Sequence, residues 1–126
     1  MGNKKYEVWD LIFCAKVPNQ ENSSRTTARP VIIYEDLLET AIIIPITTVL
    51  EQERNYKYTL IINKNSKDGK LLHLDEKSML ALDRACRVPK SVLVFRIGKC
   101  SEDLIEDIES MIKTAEDEGF TKLKDL

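Results

Sequence analysis

Residues 28–49 read ARPVIIYEDLLETAIIIPITTV, and no other stretch limits the available folds so strongly. Two apolar runs, Val31–Tyr34 and Ala41–Ile46, are separated by a short acidic connector. Both are rich in β-branched residues, whose stiff side chains suit a pleated, half-buried surface better than a helix. The pattern predicts an antiparallel hairpin. Its polar outer ends, Arg29–Pro30 before the first strand and Thr47–Thr48 after the second, would meet on one rim of a sheet. A guanidinium beside two hydroxyls is an anion-binding arrangement, which makes that rim a candidate phosphate site.

The 126 residues suffice for one domain with a real core, without metals or disulfides. An apolar content of 43% with 32% charged residues describes a soluble globular chain. The longest apolar run is too short to cross a bilayer, and no signal-peptide pattern opens the sequence, so a cytoplasmic protein is expected. Cys14, Cys86 and Cys100 have no CxxC spacing and only His73 accompanies them, which argues against a zinc site. All three read as reduced thiols acting as small apolar residues. No cofactor or metal is expected. The net charge of −2 is unevenly spread: +2 over residues 1–30, −3 over 31–60, +5 over 61–100 and −6 over 101–126. The acidic last segment suits a solvated helix face, and the remaining body, at +4, suits an anionic partner.

Residues 6–14 predict a first strand, with Val8, Asp10 and Ile12 on one face and Trp9, Leu11 and Phe13 on the other. The polar stretch 15–28 reads as a long, lid-like connection bearing Arg25 near the proposed rim. After the hairpin come a charged turn at 51–54, a strand at 56–62 and a basic turn-rich loop at 63–70 carrying Lys67 and Lys70. Residues 70–77, with His73, have no firm assignment. Ser78–Cys86 reads as a strand with Asp83 and Arg84 near its end. Val88–Leu93 suggests a single helical turn, since proline suits the first helical position, and Phe95–Lys99 a last short strand. From Ser101, an N-cap, Leu104, Ile105, Ile108, Met111, Ile112 and Ala115 form one apolar stripe, with Gly119 as the stop. The whole predicts a single mainly β domain: a compact antiparallel barrel closed by a C-terminal helix at about 101–117.

The order of these features resembles the MazF/PemK family of toxin endoribonucleases. The pieces that carry the resemblance are Glu7-Val8-Trp9, Arg29-Pro30-Val31, Pro45-Ile46-Thr47, Ser78–Asp83 and Ile97–Leu104. It implies an SH3-like barrel, a homodimer, metal-independent cleavage of single-stranded RNA, and an antitoxin whose acidic tail fills the RNA groove. Residue by residue, it implies active-site roles for Arg29 and Thr47 and a base at Asp83. The chain departs from the family at Tyr6, where glycine is usual, and in its first loop, which lacks glycine. It departs again at Cys86, where the family has an arginine; Arg84 and Arg87 stand close by.

Such cleavage makes the ribose 2′-hydroxyl attack the adjacent phosphate. A base takes its proton, an acid protonates the leaving 5′-oxygen, and cations stabilise the developing charge. Arg29 suits bidentate binding of a phosphate, with Thr47 and Thr48 as hydrogen-bonding partners. Arg84 or Arg87 would supply a second cation, and Arg25, Lys67 and Lys70 would track the RNA backbone. Each residue also has a plainer reading: a surface arginine, strand-end threonines, an Asp83 ion pair with Arg84 or Arg87, a surface His73. Trp9, Tyr56 and Tyr58 fit base stacking or core packing equally. The alternative function is a non-catalytic binding module of the same fold, either a gyrase-inhibitor-like toxin or a member that only binds antitoxin.

Overall fold

The computed structural model describes residues 6–18, 25–48 and 56–126. Seven strands and two helices follow one another as β1 Asp10–Pro18, β2 Thr26–Asp36, β3 Thr40–Thr48, β4 Thr59–Ile62, α1 Lys67–Leu71, β5 Ser78–Ala81, β6 Cys86–Pro89, β7 Leu93–Lys99 and α2 Glu102–Asp117. Every ladder is antiparallel, in the order β4-β5-β3-β2-β1-β7, with β6 also on β3. The ladders do not join β4 to β7, so among the described residues the expected barrel is an open sheet.

The β2–β3 hairpin is the centre of this sheet. Val31 faces Pro45, Ile32 faces Ile44 and Ile33 faces Ile43, with a bulge before Glu35. Strand alternation sends the two sets of side chains to opposite faces, and both faces are buried. Ile32, Ile42, Ile44 and Ile46 join Leu104, Ile108 and Ile112 of α2 in one core. Val31, Ile33, Ala41 and Ile43 join Ile12, Cys14, Val17 and Val88 in a second. Burying each large aliphatic chain contributes about 1.5–3 kcal/mol. That explains why the hairpin reads as continuous apolar runs rather than as an alternation.

β3's other edge is shared between β5 and β6. Ile46 faces Leu80, and three residues back Ile43 faces Cys86. The partner chain thus spends six residues where β3 spends three, and the surplus is a 3-10 turn at Leu82–Arg84. The single strand expected over Ser78–Cys86 is therefore two, hinged at Asp83. Both oxygens of that carboxylate are occupied: Oδ1 accepts from the Tyr58 N–H at 2.8 Å and Oδ2 from the Lys57 N–H at 3.0 Å.

The structure alters other expectations for local reasons. β1 begins at Asp10 because residues 7–10 form a turn, with Trp9 at φ 74. Asp10 Oδ2 accepts the Glu7 N–H at 2.7 Å and pairs with Arg96 Nε at 3.2 Å, so an aspartate holds the turn. Residues 15–18 and 26–28 are strand rather than connection, and 19–24 lie outside the described residues, as does the charged turn expected at 51–54. The strand expected at 56–62 is confined to Thr59–Ile62. Part of the basic loop is α1, whose N-cap Ser66 accepts from the Gly69 N–H at 3.0 Å. The helical turn expected at 88–93 is a 3-10 turn at Lys90–Val92. α2 follows its reading: Ser101 Oγ caps Leu104 N–H at 3.0 Å, and Gly119 ends it at φ 100.

Candidate active site

The β2–β3 register sets the site. Val31 faces Pro45 in the last pair of that ladder, with Arg29 two residues before it on β2 and Thr47 two residues after it on β3. Positions 29 and 47 then share a face of the hairpin. Both residues are half-buried, and Arg29 also faces Cys14 on β1.

Thr47 and Pro30 also line a cavity of about 290 Å³. Leu11, Ile46, Leu72 and Ile97 give it an apolar floor, and Pro30, Thr47, Thr48 and Ser78 form one wall. The segment His73–Glu76 that follows α1 completes the lining. That segment is fixed from two sides. Ser101, the cap of α2, hydrogen-bonds Asp68 of α1. From below, Gly98 of β7 approaches so closely that an added Cβ would lie 2.4 Å from the Leu71 carbonyl oxygen.

His73 was not expected here. α1 ends in a Schellman motif: the His73 N–H donates to Lys70 O at 3.1 Å and the Leu74 N–H to Gly69 O at 3.0 Å. Such a motif needs one left-handed residue, usually glycine. Here it is His73, at φ 56. The signal available in the sequence was a histidine just after a short capped turn, too weak to read without the helix boundary.

The remaining expected residues are spread around this centre. Thr48 lines the cavity and faces Ser78, whose hydroxyl donates to Glu76 O at 2.9 Å. Lys67 and Lys70 are exposed on α1, beside the His73 wall, and Arg25 is exposed just before β2. Asp83 and Arg84 belong to the 3-10 turn and do not line the cavity. Arg87 lies on β6, where its Nε donates to Leu126 O at 2.6 Å and its guanidinium also to Thr40 Oγ1 at 3.0 Å. Cys86 packs against the second core; burial and the neighbouring Cys14 push its thiol up to about 11, against the opposing pull of Arg84. Trp9 packs edge-on against Tyr34 at 5.8 Å, and Tyr58 is buried with its hydroxyl donating to Glu118 at 2.6 Å. Both rings serve packing. Among the described residues no His, Cys, Asp or Glu cluster could hold a metal ion, and no helix is long and apolar enough to cross a membrane.

Comparison with known proteins bears on this arrangement. Mycobacterium tuberculosis toxin MazF-mt6 superposes with a TM-score of 0.63 at 18% identity, covering 86% of this chain and 96% of that one. A second solved structure, an Mtb toxin, gives a TM-score of 0.59 at 19% identity, covering 83% and 98%. At such identities these likenesses establish the fold. No curated protein matches the chain. A family model described as the PemK-like, MazF-like toxin of type II toxin-antitoxin systems matches residues 7–115. With that match spanning both strands of the hairpin, the cavity walls and most of α2, the chain belongs to the PemK/MazF family of type II toxins.

Proposed function

We propose that the protein is a sequence-selective endoribonuclease, cutting single-stranded RNA by 2′-hydroxyl attack to leave 2′,3′-cyclic phosphate and 5′-hydroxyl ends. The observation that carries this reading is that Arg29 and Thr47 stand at the same end of the β2–β3 hairpin, with Thr47 lining a cavity, in a chain of this family. A scissile phosphate between them receives the guanidinium fork on its non-bridging oxygens and a hydroxyl donor from Thr47. Both contacts strengthen as charge builds on the phosphorane, which is the condition for accelerating the chemical step. Lys67 and Lys70 on α1, Arg25 before β2, and Thr48 extend the polar track on which flanking phosphates rest. Arg84 stands further along the β5–β6 edge, and Arg87 reaches RNA only by leaving its Thr40 and Leu126 partners. Asp83 acts as base only by releasing the Lys57 or Tyr58 amide it now holds.

The same cations suit the acidic tail of a cognate antitoxin, which would inhibit by occupying the RNA track. We place the working toxin in the cytoplasm, and as a homodimer, the state that the family resemblance implies. The test is to incubate purified protein with long single-stranded RNA in EDTA and map the ends. Cuts at one recurring motif with 5′-hydroxyl termini are expected. Intact RNA after incubation with demonstrably folded protein would overturn the proposal.

A further inference from the structure

The cavity beside Thr47 has the wrong chemistry for a phosphate. Its floor is aliphatic, and Asp75 and Glu76 stand in its wall with no Lys or Arg among the lining residues. A polyanion's backbone is repelled there, whereas an unpaired base is not. A nucleobase brings two apolar faces, which need a floor and a lid, and an edge of donors and acceptors, which needs complementary groups at the rim.

We infer that this cavity is a nucleobase subsite for a nucleotide flanking the cut, and that it selects a base bearing an exocyclic amine. The inference rests on the endoribonuclease reading above. Leu11, Ile46, Leu72 and Ile97 supply the apolar floor, and the His73 imidazole at the mouth supplies a ring for stacking. Asp75 and Glu76 carboxylates accept from amine N–H groups, as acidic side chains do from cytosine N4. Adenine, cytosine and guanine carry such an amine. Uracil presents two carbonyl oxygens around a single N–H and meets the carboxylates with repulsion. Thr47, of the proposed phosphate pair, lines this cavity, and so does Pro30, the neighbour of Arg29.

The backbone at His73 fits this role. A left-handed histidine is disfavoured where glycine is free, and the Schellman turn itself requires no imidazole. The position carries a ring at a conformational cost, and His73 is one of the residues that line the cavity.

The test compares wild type with His73→Gly, Asp75→Asn and Glu76→Gln, first by thermal melting and then on a single-stranded RNA library. His73→Gly relieves the left-handed strain and should melt no lower than wild type. It should nevertheless weaken RNA binding roughly tenfold to a hundredfold, the range for one lost base–aromatic stack. At one position beside the cut, wild type should exclude uracil. Asp75→Asn combined with Glu76→Gln should admit it there while leaving the other positions unchanged. If wild type cleaves but tolerates uracil at every flanking position, or if the doubly amidated variant keeps the wild-type motif, the subsite is overturned while the endoribonuclease reading stands. If wild type does not cleave at all, that reading falls. The subsite is then decided by binding of 2′-O-methyl oligonucleotides differing in one base: an amine-bearing preference sustains it, and indifference between uracil and cytosine ends it.

Discussion

Replacing Gly98 by alanine perturbs the joint between fold and site. A Cβ at this position lies 2.4 Å from the Leu71 carbonyl oxygen, 2.9 Å from Leu72 Cα and 3.2 Å from the Leu72 carbonyl carbon. All three are backbone atoms, so no side-chain rotation relieves the overlap. Ordinary contact begins at 3.4 Å, and the nearest pair must separate by 1.0 Å, the difference between 3.4 and 2.4. Either β7 or the end of α1 has to move, and Leu72 in that segment is fully buried. Overpacking of this kind costs about 1–3 kcal/mol, and for a domain of this size each kcal/mol lowers Tm by roughly 3–5 °C. Urea unfolding should show a lower midpoint with an unchanged slope. Gly119→Ala is the contrasting variant: its Cβ meets nothing within 4 Å, but φ is 100. Its cost is conformational, about 1 kcal/mol, and it should leave the cavity intact. Gly98→Ala should impair RNA binding beyond its effect on stability, since the displaced segment carries the His73 wall. A Gly98→Ala protein with the wild-type urea midpoint would refute the close approach and with it the account of how that wall is held.

Other expectations follow from single groups. Arg29→Ala should lower the cleavage rate by roughly 10²–10³, equivalent to about 2.7–4 kcal/mol of lost transition-state stabilisation, with an unchanged melting temperature; single-turnover cleavage and circular dichroism check both halves. Asp83→Ala strips two backbone N–H groups of their acceptor and should cost about 1–3 kcal/mol in urea titration, whatever it does to cleavage. Ser101→Ala removes the cap of α2 and its link to Asp68, a loss of about 0.5–2 kcal/mol by the same measurement. Burial raises the Cys86 and Cys100 thiols from 9.0 to about 11 and about 12. Above pH 9 the unfolded thiols ionise while the folded ones hold their protons. Stability present in full below that pH is therefore lost as pH rises toward those folded values, by about 1.4 kcal/mol per unit per thiol. Urea midpoints measured across that range should fall, and Cys100→Ala should flatten the decline.

The parts of the fold legible in the sequence are those where one period dominates. The hairpin declared itself because Val31–Tyr34 and Ala41–Ile46 are β-branched and buried on both faces. α2 declared itself through its stripe, its serine cap and its terminal glycine. Asp10 misled because an aspartate closing a turn sits in register with a strand alternation, so the strand looked four residues longer at its start. The turn at Leu82–Arg84 was hidden because a three-residue insertion between strands leaves no composition signal. α1 spans five residues, too few to show a helical period. The site divides the same way. The position of Arg29, Thr47 and Thr48 at one end of the hairpin was legible because the two apolar runs alone define its strands. The His73–Glu76 wall was not, because its place depends on the distant contacts of Gly98 with Leu71 and of Ser101 with Asp68.

The central claim is that the Arg29–Thr47 rim directs a ribose 2′-hydroxyl onto its own phosphate. It is tested most directly with a short RNA containing the mapped cut motif, and with the same RNA carrying one 2′-deoxy nucleotide on the 5′ side of the scissile bond. The account predicts that wild-type protein in EDTA cuts the first, leaves the second intact at that bond, and still binds both. Equal cleavage of the two oligonucleotides would contradict it.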